Sequence, residues 1–115
     1  MKYELHQIHL TEEEHNKVNA EGHDSVEKHK LHIDMSFSKK EELLAKEAWD
    51  KGYYTHVSNI TTDKGLEGVF EVGNIGPEEN IERLSRMYST SVGDIVIDSD
   101  GKKHVVASFG FKEVA

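Results

Sequence analysis

Apolar positions along the chain switch several times between a period of two and a period near 3.6, and the switches divide it into short elements. Residues 2–10 read as a strand, with Tyr3 and Leu5 on one face and Ile8 and Leu10 on the other, which implies a bulge or strong twist between them. Thr11, with Glu14 three residues on, spells a capping box, so a helix should run from Glu12 to about Ala20 and stop at Glu21-Gly22. A second polar segment follows from Asp24 to Lys30. Leu31, Ile33, Met35 and Phe37 then alternate strictly with His32, Asp34 and Ser36, the pattern of a strand with one buried face. Ser38 and Glu41 repeat the capping-box spacing and predict a helix carrying Leu43, Leu44, Ala45, Ala48 and Trp49 up to Lys51-Gly52.

Residues 53–60, rich in aromatic and β-branched side chains, predict another strand. Leu66, Val69, Phe70 and Gly73 fall at i, i+3, i+4 and i+7, which predicts a helix over residues 64–72 with Gly73 at its C-cap; a strand over residues 68–72 is the competing reading. Pro77, followed by Glu78 and Glu79, suits the first turn of a short helix through Ile81 and Leu84. The clearest stretch is residues 89–111. Val92, Ile95 and Ile97 lead into Asp100-Gly101, a dipeptide that tolerates the positive φ of a tight reversal, and Val105 returns antiparallel.

These elements describe one α+β domain over residues 1–115: a mixed or antiparallel sheet of about five strands, helices on one face and a C-terminal hairpin. The chain has 115 residues, 36% hydrophobic and 31% charged, enough for one core and no more. Its net charge of −8 opposes docking on phosphate backbones, and the acids are evenly spread, twelve against seven bases in residues 1–50 and ten against seven in the rest. The absence of cysteine removes thiol nucleophiles, disulfides and thiolate metal sites, and fits an intracellular setting. With no apolar run of signal-peptide or membrane-spanning type, a cytoplasmic location is expected.

Three further features bear on identity. The run Arg86-Met87-Tyr88-Ser89-Thr90-Ser91-Val92-Gly93-Asp94-Ile95-Val96, then Asp100-Gly101-Lys102, then Ser108-Phe109-Gly110-Phe111, resembles small uncharacterised proteins of bacteriophages and mobile elements. It is similar to their YodL-like domains, which share an Arg-x-x-Ser-x-Ser-Val-Gly-Asp hairpin and a Gly-Phe close. Phe70 to Asn74 fits the helix and Asn that precede that hairpin, so the resemblance covers residues 66–114. It implies a phage or mobile-element accessory protein, in the host cytoplasm, and carries over no catalytic residue.

Candidate chemistry is sparse. Arg83, Arg86, Tyr88, Lys102 and Lys103 are the nearest approach to a basic patch with a stacking aromatic, able to contact an anion or RNA if the hairpin and the preceding segment pack together. Otherwise Arg83 and Arg86 bridge acids such as Glu79 and Glu82 on the surface. Of eight histidines, six precede residue 33, namely His6, His9, His15, His23, His29 and His32. With Glu14 or Asp24 these could serve a transition metal, yet no pair has the His-x-x-x-His spacing of a helical clamp, so they read first as ordinary polar residues. Ser89, Ser91, Asp94 and His104 share the hairpin, where turn-forming roles outweigh a nucleophilic site. Asp98 and Asp100 resemble the start of a calcium loop without its distal Glu.

The expectation is therefore a non-enzymatic module that binds a macromolecule, without cofactor or metal. Its partner is expected to be a protein, one version being an acidic surface that inhibits a nucleic-acid-binding host protein. A nucleic-acid-binding small barrel is the first alternative, a histidine-based metal-dependent enzyme the second, and a homo-oligomer is open.

Overall fold

The second residue already enters the sheet, and that first strand is its centre. In the computed structural model, which describes residues 1–115, β1 (Lys2–Ile8) is flanked by β2 (Tyr54–Thr61) on one side and β4 (Ile95–Ile97) on the other. The full order is β3-β2-β1-β4-β5-β6, with β3 spanning Ile81–Arg83, β5 Lys103–Val106 and β6 Phe111–Val114, and every pairing is antiparallel. The sheet thus has six strands rather than about five. Two strands are additional, since residues 31–37 supply none: β3, and β6, which forms where the chain turns once more at Ser108-Phe109-Gly110, with Gly110 at φ 69°.

Strand periodicity sends side chains to two faces, and both are covered. Tyr3, Leu5, Val57, Ile60 and Val96 pack with Val69 and Val72 of α4 (Gly65–Asn74). On the other face Ile8, Ile95, Val105 and Val114 meet Leu31 and Met35 of α2 (Glu27–Phe37) and Ala45 and Ala48 of α3 (Glu41–Asp50). The helices therefore lie on both faces and not on one, which follows from the sequence of buried neighbours: adjacent Ile95 and Val96 are both fully buried and must each find a separate layer. Each such aliphatic side chain contributes roughly 1.5–3 kcal/mol by leaving water.

The bulge expected in the first strand lies across from it. Leu5 pairs with Ser58 and His6 with His56, so Val57 is the extra residue and β1 itself alternates regularly. The Thr11–Glu14 capping box forms in full at the start of α1 (Glu12–Glu21), and Glu14 also holds Lys28 at 2.8 Å.

Residues 31–37 are helical, contrary to their strand-like alternation. Leu31 and Met35, four apart, share the buried face, whereas Phe37 is 87% exposed, so only half of the alternating set faces the core. The second capping box does not form either: Glu41 turns inward, accepting from the Ser108 amide at 3.2 Å and from Lys112 Nζ at 3.0 Å, and Ser38 Oγ accepts from the Lys40 amide instead. The predicted helix over residues 64–72 is present and the competing strand is not. Gly73 lies within the helix rather than capping it, and its bare Cα faces Thr90. After Pro77 only one turn of 3-10 helix forms, at Glu78–Asn80, before Ile81 pairs with Ile60 in β3. The hairpin of β4 and β5 turns at Asp100-Gly101 as read, with Gly101 at φ 82°. No helix is long and apolar enough to cross a membrane.

Candidate functional site

The five basic and aromatic candidates do not converge. Arg83 is in β3 at one edge of the sheet, and Lys102 and Lys103 lie at the start of β5, four strand positions away. Arg83 is engaged by Glu78, Nη2 to Oε2 at 3.0 Å. Arg86 sits over the Tyr88 ring at 5.3 Å, and Lys103 Nζ lies 5.4 Å from the Trp49 ring of α3. Lys102 is exposed and donates its backbone amide to Asp98. Arg83 and Tyr88 do share a cleft of about 230 Å³ with Gly73, Ile75 and Met87, but Glu78 is on its wall and balances the guanidinium.

Asp94, Asp98 and His104 of the C-terminal hairpin are each hydrogen-bonded within the fold. Asp94 is buried and accepts from Gln7 Nε2 and from the Ser91 amide, both at 3.0 Å. Burial pushes its carboxyl up to about 7, and those two donors offset only part of the effect. His104 bonds Asp98 at 2.9 Å, not Asp94, and Asp98 also accepts from the amides of Asp100 and Lys102, which closes the turn and holds its carboxyl below the usual range. Both oxygens of Asp98 are thereby used within the hairpin.

Among the histidines, His23 and His29 approach to 3.2 Å with stacked rings, while His32 packs against Gly93 elsewhere. A tighter group lies across the central strands. His6 and His56 are paired in the ladder and stack at 4.6 Å, and Glu4 Oε1 lies 3.0 Å from His6 Nε2 and 3.9 Å from His56 Nε2. His56, the member that completes this group, carries no signal in the linear pattern; only the register of β1 against β2 brings it beside His6.

The feature with the clearest functional shape is aromatic. The chain has four phenylalanines, and none is buried. Phe37 and Phe109, 87% and 95% exposed, flank a cleft of about 500 Å³ with Lys39, Glu41, Ser108 and Lys112. Phe70 and Phe111 line a second, of about 280 Å³, with Glu67, Val106 and Gly110. The two clefts lie on either side of the β5–β6 turn and share Ser108. Beside them runs β6, whose outer edge has no strand partner. Lys39 has no ion-pair partner of its own, in contrast to Lys112, which is neutralised by Glu41 at 3.0 Å and Glu42 at 3.5 Å. In the sequence Phe109-Gly110-Phe111 closes the hairpin stretch and Phe37 falls on the expected buried face; exposure of large apolar side chains shows only once their neighbours are placed. No protein-family model, curated protein or solved structure matches the chain.

Proposed function

We propose that this chain is a non-enzymatic binding module for a protein partner, of the phage or mobile-element accessory kind that its C-terminal hairpin resembles, and that it takes an extended segment of the partner at the β6 edge. The observation that carries this reading is the gathering of all four phenylalanines, none of them buried, around a turn next to an unpaired strand edge. An exposed edge supplies main-chain hydrogen bonds to an added strand, and pockets on its two sides supply specificity. Successive side chains of such a strand point to opposite faces, so neighbouring apolar residues would enter the Phe37–Phe109 and Phe70–Phe111 clefts in turn. Lys39 favours a carboxylate beside that apolar run. Self-association through the same edge is opposed by the net charge of −8 on each copy.

The nucleic-acid reading draws less support, because its candidate bases are dispersed and Arg83 is already paired. Selection of displayed random peptides on the immobilised protein tests the proposal. Enrichment of short apolar runs with an adjoining acid, lost in a Phe37→Ser/Phe109→Ser variant, is the expected result. Enrichment that survives in that variant, no enrichment, dimerisation through this edge, or salt-sensitive capture of single-stranded RNA in its place would each overturn it.

A further inference from the structure

The geometry points to a second site, unrelated to the aromatic end: we propose that Glu4, His6 and His56 bind one divalent transition-metal ion of the zinc class. One donor atom from each of the three lies within 4.8 Å of the other two, and no other trio of His, Asp or Glu in the chain converges so closely. Ligands at ordinary zinc distances in a tetrahedral arrangement stand roughly 3.3 Å apart. The observed 3.0 Å and 3.9 Å between Glu4 Oε1 and the two Nε2 atoms bracket that spacing.

The placement is firm because β1 and β2 are central, paired strands. His6 and His56 are direct ladder partners, and Glu4 stands two residues before His6, hence on the same face. The Trp49 ring meets His6 edge-on at 5.0 Å and backs the His6–His56 stack. Without an ion, His6 Nε2 bonds Glu4, and His56 Nε2 bonds Asn59 Oδ1 at 2.9 Å. Binding exchanges these contacts for the metal and turns the rings out of their stack, because each Nε2 lone pair lies in its ring plane and both must point at one ion; each neutral ring then carries its proton on Nδ1.

Charge and access agree with this. No Lys or Arg pairs with Glu4; Lys2, the nearest in sequence, is directed to Glu82 at 3.7 Å. A divalent ion supplies the positive charge the carboxylate otherwise lacks. Two clefts meet at His56, one of about 400 Å³ with His6, Trp49 and Tyr54, the other of about 500 Å³ with Glu4, Asn59 and Asp98. Three protein ligands with a coordination position open to such a cleft describe an exchangeable or reactive ion, not a closed structural one.

The test uses the full chain stripped with chelator. Zn²⁺ is titrated in competition with a chromophoric chelator, Co²⁺ is followed by its visible absorption, and Cu²⁺ by quenching of the chain's one tryptophan, Trp49. We expect one equivalent bound, with affinity falling in Glu4→Gln and His56→Gln by more than the roughly 10- to 100-fold that loss of an outer-shell partner costs. The double variant His23→Gln/His29→Gln should bind as the parent does. Glu4→Gln is isosteric at a half-exposed position, so it reports on binding with the fold intact. Absence of stoichiometric binding, equal affinity in Glu4→Gln, or loss of binding in the His23/His29 variant would overturn the site.

Discussion

Gln7 and Asp94, 87 residues apart in the chain, meet through a 3.0 Å hydrogen bond in the interior. The same Gln7 amide donates to the Tyr88 carbonyl at 2.9 Å and its oxygen accepts from the Tyr88 amide at 3.0 Å, so one side chain of β1 fixes the whole segment that leads into the C-terminal hairpin. Asp94 in turn anchors the Ser91 amide, and its own carbonyl accepts from Val106. The Ser-Val-Gly-Asp motif thus works as a clasp between the first strand and the last third of the molecule.

This clasp titrates. Burial holds the folded carboxyl of Asp94 near 7, from an ordinary value of 3.8, so between those values the folded state keeps a proton that the unfolded chain has released. Stability contributed by the protonated group is therefore complete below about pH 4, declines as pH rises, and is gone above about pH 7. Asp94→Asn stays neutral throughout. The melting temperature of the parent minus that of Asp94→Asn should fall from about pH 4 to about pH 7 and then level off; a constant difference would show that Asp94 is ionised in the fold.

Glu41 provides the opposite sign. Burial raises its carboxyl, but its own backbone amide, Lys112 and the Ser108 amide more than offset that and hold it below the usual range. Its contribution is present above about pH 4.5 and is lost as pH falls through the folded value. Lys112→Met leaves this carboxylate without its cation and should destabilise the fold at neutral pH. Measured by urea denaturation, that cost should shrink towards pH 3; a cost independent of pH would mean that Lys112 acts through packing alone.

Gly73 separates propensity from packing. In an exposed helix interior Gly→Ala gains up to about 1 kcal/mol. Here a Cβ on Gly73 would collide with Thr90 Oγ1, while Asn74 Nδ2, bound to the Thr90 carbonyl at 3.0 Å, keeps the two segments together. Gly73→Ala should therefore destabilise by about 1–3 kcal/mol. Adding Thr90→Ala should recover part of it, since the Thr90 hydroxyl is buried without a partner. A single variant more stable than the parent would refute this contact.

What the sequence disclosed depended on the range of the interaction that decided each element. Thr11 and Glu14 satisfy one another locally, and Asp100-Gly101 makes its turn without help, so both were legible. Ser38 and Glu41 have the same spacing as the first box, yet Glu41 is drawn away by Lys112, which lies 71 residues on. Residues 31–37 carry a period of two, but Leu31 and Met35 also satisfy the helical period, and packing on α3 and the sheet selected that one. The candidate sites follow the same division. His56 comes beside His6 through strand register, and the phenylalanines assemble from α2, α4, the β5–β6 turn and β6, relations that no local pattern encodes.

The exposure of the phenylalanines yields a last prediction, one that distinguishes a recognition surface from a poorly covered core. Phe109 is 95% exposed and Phe37 87%, so Phe109→Ser and Phe37→Ser remove almost no packing and should change stability by less than about 0.5 kcal/mol. Phe111 is half-buried against the cluster of Tyr3, Leu5 and Val96, and Phe111→Ser should cost about 2 kcal/mol or more. Chemical denaturation of the three variants separates the cases. If Phe37→Ser or Phe109→Ser proved as costly as Phe111→Ser, those rings would be closing over the fold in solution, and the clefts would be part of its core instead of a surface available to another protein.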